Sequence, residues 1–274
     1  MQVLRILSLV ALLPLLNGCA AISVAGMLAS AGASTAVRAI DEQMQENTLE
    51  APHRAQVAEA NLNVAIEQLR RGNYEESLQR LDRAREAYPK YSFIYSVYGL
   101  VYQRIGDHEK AEKYFRQSLD MDEAPENLNN YGQFLCQQGR GEEAEKQFLK
   151  AAKNLLYRTP EIALTNAGLC AQRGGDTAKA TEYFQAALKA NPRAPVALLA
   201  MADIELDNDR IEEAHKLLTT YLKAAPHTSR SLWLGIRISG KRGDKDTEAS
   251  YQMLLRNKYP DSIEAGYLKG DAKS

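Results

Sequence analysis

One spacing recurs along this chain and limits its fold more than any other feature. Gly72, Gly106, Gly139 and Gly175 follow one another at intervals of 34, 33 and 36 residues. Five residues after each stands a small residue: Ser77, Ala111, Ala144 and Ala180. A large apolar residue comes four further on (Leu81, Phe115, Phe148, Phe184), then a second small one (Ala84, Ser118, Ala151, Ala187). Pro89 and Pro192 close two of these units. The pattern continues more weakly through Ala214, Leu218 and Pro226, and ends with Trp233, Gly235, Gly243, Tyr259 and Pro260. A period of this length holds two short helices and a turn. Ala65, Gly99, Gly132, Gly168, Ala202 and Gly235 supply the small residue where the first helix meets the second, and Ala111, Ala144, Ala180 and Ala214 answer from the second. A lone hairpin cannot bury its apolar face, so successive hairpins must stack. The turn glycines supply a positive backbone dihedral, and Asp107, Asp176 and Asp244, each after a glycine, are expected to cap the following helix.

Small residues and aromatics in this register resemble the tetratricopeptide repeat. The resemblance implies an all-α, right-handed superhelical solenoid of about six repeats over residues 58–262, with units near 58–91, 92–124, 125–160, 161–194, 195–227 and 228–262. Residues 263–274 read as a C-terminal tail.

The N-terminus reads as a lipoprotein leader. Arg5 supplies a positive charge, Ile6 to Leu16 an apolar core, and Leu16-Asn17-Gly18-Cys19 resembles the bacterial lipobox. Residues 1–18 are then the signal peptide, Cys19 the lipidated residue carrying acyl chains such as palmitate, and 19–57 a tether. Several acyl chains anchor far more firmly than one. Ala20, rather than an aspartate, resembles lipoproteins sorted to the outer membrane, facing the periplasm. Removing Arg5 with the leader leaves 33 basic against 35 acidic residues, a near balance that favours neither nucleic acid nor broad attraction to anionic surfaces.

Three strings carry a narrower resemblance: Leu128-Asn129-Asn130-Tyr131-Gly132 with Phe134-Leu135-Cys136, Asn166-Ala167-Gly168-Leu169-Cys170, and Ser231-Leu232-Trp233-Leu234-Gly235-Ile236-Arg237. They are similar to the type IV pilus biogenesis lipoproteins PilF and PilW. That resemblance implies a pilotin, which binds the secretin subunit, escorts it to the outer membrane and promotes its multimerisation, and so a role in pilus biogenesis. The alternative is a generic periplasmic scaffold serving another envelope assembly.

Cys136 and Cys170 occupy the first helices of adjacent repeats at similar depth. Two readings stand: a disulfide, favoured by an oxidising compartment and by the family resemblance, or two buried thiols acting as small apolar residues. On the inner face, Leu62, Ile66, Leu69, Phe93 and Leu100 are expected to form an apolar partner groove, giving way to Asn129, Gln133 and Cys136. A Lys/Asn carboxylate clamp is not expected, because the matching positions hold Leu62, Ile66, Asn129 and Leu169.

No catalytic, cofactor or metal site is expected. His53, His108, His215 and His227 show no ligand spacing. Gly139-Arg140-Gly141 and Gly240-Lys241-Arg242-Gly243 follow helices and lack the phosphate-loop ending. Glu142-Glu143 and Glu212-Glu213 read as solvated helix faces. The chain is expected to bind protein and, through its lipid, a membrane, with no nucleic-acid or small-molecule substrate.

Overall fold

The computed structural model describes residues 33–270, with side chains from 52 to 268, and these residues contain no strand. The leader and Cys19 lie outside the described residues. Thirteen helices are described: α1 (Ala33–Arg71), α2 (Tyr74–Ala87), α3 (Ser92–Ile105), α4 (His108–Met121), α5 (Pro125–Gln137), α6 (Gly141–Lys153), α7 (Pro160–Arg173), α8 (Thr177–Ala190), α9 (Pro195–Asp207), α10 (Ile211–Ala224), α11 (Ser229–Arg242), α12 (Lys245–Lys258) and α13 (Ile263–Lys269). The chain divides into two compact units, residues 1–89 and 90–274.

The second unit holds five of the six hairpins, α3/α4 through α11/α12. Their packing follows one rule. A Cβ built on Gly99 would stand 2.8 Å from the Phe115 ring, and one on Gly132 2.7 Å from Phe148. The same construction gives 2.5 Å between Gly168 and Phe184, and 2.7 Å between Gly235 and Tyr251. Four first helices thus carry a glycine because an aromatic ring from the second helix packs directly against their backbone. The ring always follows its glycine by 16 residues. Where the first helix carries alanine instead, at Ala65 and Ala202, the residue 16 later is the narrower Leu81 or Leu218. Phe115, Phe148 and Phe184 are at most 1% exposed, so each ring is wholly enclosed.

Turns follow the glycine expectation. Gly72, Gly106, Gly139, Gly175 and Gly243 all have φ between 73° and 89°. The fifth repeat lacks the glycine, and Asp209 occupies its place at φ 60°. Asp107, Asp176 and Asp244 cap α4, α8 and α12, accepting from the backbone N–H groups of Lys110, Lys179 and Thr247.

In the first unit, α1 runs unbroken from Ala33 through Pro52 to Arg71. The described part of the expected tether, residues 33–57, is thus helix, continuous with the first helix of the first repeat. Arg54 Nε donates to the Ala87 carbonyl at 3.1 Å, tying this extension to the end of α2. The Ser77 hydroxyl donates to the Ala65 carbonyl at 2.8 Å, where small residues bring the two helices together.

The C-terminal segment contains a short helix, Ile263–Lys269. Ser262 caps α13, and Ala265 is fully buried with Leu232, Ile236 and Leu255. Tyr267 lies 5.2 Å from Trp233, ring centre to ring centre. In an array each repeat buries its apolar side against the next element, and for the sixth repeat that element is α13.

Candidate protein-binding surface

Within the second unit, the first helices α3, α5, α7, α9 and α11 succeed one another, and polar side chains join them at the N-terminal end. Asn130 Nδ2 donates to the Ser96 hydroxyl at 3.0 Å, and Asn166 Nδ2 to Asn129 Oδ1 at 2.9 Å. Gln103 Nε2 donates to Gln137 Oε1 at 2.6 Å. The bonds of Asn130 and Asn166 satisfy part-buried amides that would otherwise be costly beside a core. Between α5 and α7, the Cα atoms of Cys136 and Cys170 are 5.8 Å apart, with the sulfurs at bonding distance.

The pattern changes at the next junction. The backbones of α3 and α5, α5 and α7, and α9 and α11 approach one another more closely than those of α7 and α9, although Leu164, Leu169 and Ala171 of α7 still pack against the core to which α9 contributes. A hollow of about 300 Å³ opens there, lined by Glu161, Ile162, Thr165, Asn166 and Leu169 on one side and Asn191, Ala194, Pro195 and Val196 on the other. Ile162 is 45% exposed and Val196 49%. An apolar hollow with a few amide groups at its edge suits a peptide side chain. Beyond it the surface becomes ionic: Arg237 bonds Asp203 at 2.8 Å and Asp207 at 2.6 Å, and Arg230 reaches Asp203 at 3.0 Å.

A charged hub joins the second and third repeats. Glu112 of α4 accepts from Arg116 at 2.7 Å, from Arg140 at 2.8 Å and from the Tyr131 hydroxyl at 3.0 Å. Burial pushes its carboxyl up, but the hydrogen bonds from Arg140, Arg116 and Tyr131 outweigh burial and hold it at about 2. Glu143 grips the other edge of the Arg140 guanidinium at 2.7 Å, making the arginine a pin between two carboxylates.

The expected groove is rearranged. Leu62 is 2% exposed. It follows Ala58 and precedes Ala65 at helical spacing on the buried stripe of α1, and so cannot line an open surface. Ile66 and Leu69, in the first unit, are half-buried. In the second unit Phe93 is half-buried, 6.5 Å from Tyr91, and Leu100 packs partly against the core around Phe115 and Phe134. The hollow between the fourth and fifth repeats was not anticipated. The same third-and-fourth-residue reading, carried past the third repeat, reaches Ile162, Leu169 and Val196. Among the described residues, no group of three or more His, Cys, Asp or Glu could hold a metal, and no helix is long and apolar enough to cross a membrane.

Stacked hairpins with this glycine–aromatic register define a tetratricopeptide-repeat protein, and that family matches residues 56–124, 98–160, 137–195 and 171–233. The chain is 32% identical to the type IV pilus assembly protein PilF of Pseudomonas aeruginosa over 212 residues, 77% of this chain and 84% of the relative. The solved structure of P. aeruginosa PilF superposes with a TM-score of 0.68 at 30% identity, covering 80% of this chain and 100% of that one. PilW, described as a widely conserved type IV pilus biogenesis factor, gives a TM-score of 0.65 at 28% identity, covering 78% and 98%. The chain belongs to the PilF/PilW family of tetratricopeptide-repeat proteins of type IV pilus biogenesis.

Proposed function

We propose that this chain is an outer-membrane lipoprotein, acylated at Cys19 and facing the periplasm, that binds the secretin subunit of the type IV pilus machinery and promotes its localisation and multimerisation. It acts by binding, with no catalytic step. The observation that carries this reading is the likeness to PilF along nearly the whole relative, in sequence and in fold. The lipobox at Leu16-Asn17-Gly18-Cys19 supports the anchor.

We assign partner contacts to the half-buried apolar residues of the inner helices. These are Ile66 and Leu69 in the first unit, and Phe93, Leu100, Ile162, Leu169 and Val196 in the second. The hollow beside Ile162 and Val196 accepts an apolar side chain of the secretin segment, and Asn166 and Asn191 at its edge meet the segment's backbone. The Cys136–Cys170 disulfide, formed in the oxidising periplasm, locks the third repeat to the fourth beside that hollow.

The test is deletion of the gene and complementation with variants, read as detergent-resistant secretin multimers on immunoblots of membranes. The parent gene restores the multimers; Ile162→Asp with Val196→Asp, and separately Cys19→Ala, lose or mislocalise them while helicity is kept. Normal secretin rings in the deletion strain refute the reading.

A further inference from the structure

The six repeats are not equal in length. Counting between the small residues of the first helices, the intervals are 34 from Ala65 to Gly99, 33 to Gly132, 36 to Gly168, 34 to Ala202 and 33 to Gly235. The excess falls between α6 and α7, where residues 154–159 join the helices; the other junctions that follow a hairpin in the second unit use three or four residues. Insertions in a repeat array appear as loops on one face, often the binding face.

This loop is rigidly built and apolar at its tip. Asn154 begins it with a side-chain turn, its Oδ1 accepting from the Leu156 N–H at 2.9 Å. Tyr157 turns inward and is buried with Leu128, Ala151 and Ala163. Between them Leu155 and Leu156 project outward, 100% and 87% exposed. Two adjacent leucines projecting from an anchored loop offer apolar surface whose burial against an occupant would be favourable.

The neighbourhood selects which. Lys153 and Arg158 flank the leucines, both exposed and neither in an ion pair among the described residues. Lys153 also lies in the last turn of α6, where a cation is favoured, but Arg158 has no such role. Nearby acids are mostly engaged: Glu123 pairs with Lys150, and Glu161 accepts from Asn191. Glu126, exposed on α5, is the acidic counterweight that remains. Two leucines present roughly 300 Å² at most, well under the ~800 Å² per partner of a stable protein interface. A small apolar tip between two unpaired cations fits the boundary of an anionic bilayer, where leucine enters the acyl region and the cations meet lipid phosphates.

We propose that the Leu155–Leu156 loop is a second, reversible membrane contact that inserts into the anionic lipid surface to which the chain is anchored. This rests on the lipoprotein reading above. It would hold the fourth repeat, and with it the hollow at Ile162 and Val196, at a fixed height from the bilayer.

The test uses the full mature chain, acylated at Cys19, carrying Leu155→Cys labelled with an environment-sensitive fluorophore under non-reducing conditions. It is reconstituted into vesicles of phosphatidylcholine with phosphatidylglycerol, or of phosphatidylcholine alone. Expected are a blue-shifted emission and quenching by shallow doxyl-lipids in the anionic vesicles, with a label at Ser250→Cys staying aqueous. Lys153→Gln with Arg158→Gln lowers the inserted population roughly 25-fold, about fivefold per cation. An aqueous Leu155→Cys label on chains that float with the vesicles overturns the proposal. So does a shift without lipid quenching that needs added secretin or a higher chain concentration, since the occupant is then a protein. Mass spectrometry showing an unacylated chain sinks the anchoring reading alone. A Cys19→Ser chain held to the same vesicles by a histidine tag on nickel lipid then gives the same readout for the loop.

Discussion

Gly168→Ala is the sharpest probe of the packing rule. The new methyl carbon would lie 2.5, 2.7 and 2.9 Å from three carbons of the Phe184 ring, where ordinary carbon contacts are about 3.5–4.0 Å. The ring must retreat by about 1 Å, into a cluster of Ala180, Ala187, Ala197, Ala200 and Met201 that is nearly closed to solvent. Overpacking of this kind costs about 1–3 kcal/mol. An approach of 2.5 Å puts the cost in the upper part of that range, about 2–3 kcal/mol, and the gain in helix propensity from glycine to alanine offsets about 1 kcal/mol of it, leaving a net destabilisation of about 1–2 kcal/mol. Phe184→Leu alone leaves a void over the glycine and costs about 1–2 kcal/mol, less than truncation of a ring to alanine. The double variant recreates the Ala65/Leu81 and Ala202/Leu218 combination found elsewhere in the chain. It should be more stable than either single variant, with a coupling of at least about 1 kcal/mol. Urea unfolding followed by far-ultraviolet circular dichroism gives the midpoints. Trp233 fluorescence checks that the array unfolds in one transition. A Gly168→Ala variant as stable as the parent, or effects that add within about 0.5 kcal/mol, would refute the argument.

Other consequences are simpler to measure. The Glu112 carboxyl is held at about 2 against an ordinary 4.5. A depressed folded value means its contribution is fully present above about pH 4.5 and fades as the pH falls toward 2. Glu112→Gln should therefore lose about 1–3 kcal/mol at pH 7 and flatten the acid limb of a stability–pH curve; an unchanged limb would contradict the hub. Asp209→Gly should raise stability by about 0.5–1 kcal/mol by relieving the left-handed aspartate, after allowing for the exposed Asp209–Lys241 pair at 2.6 Å, which is worth little; a thermal melt that falls instead would show the pair to matter more than the backbone. Reducing the Cys136–Cys170 pair, 34 residues apart in sequence, should cost roughly 3–4 kcal/mol by loss of loop closure, and alkylation of both thiols without prior reduction would remove the bridge altogether.

The period of the chain by itself determined the all-helical fold and its succession of hairpins. It did so because a helix crossing another at short range needs a small residue at a fixed place, and a left-handed turn needs a glycine. Both demands are local and leave a mark at each repeat. The caps at Asp107, Asp176 and Asp244 were legible for the same reason. Tertiary structure alone decided the rest. Whether Leu62 faces a partner or the core depends on how deeply α1 is covered, which helical spacing does not state. That Gly168 and Phe184 are in contact, and not merely recurrent, depends on the crossing of α7 and α8. The hollow beside Ile162 and Val196 lies where α7 and α9 approach less closely than the neighbouring first helices do. Burial and separation are properties of pairs of helices, and a pattern read along one chain records only what each helix requires of itself.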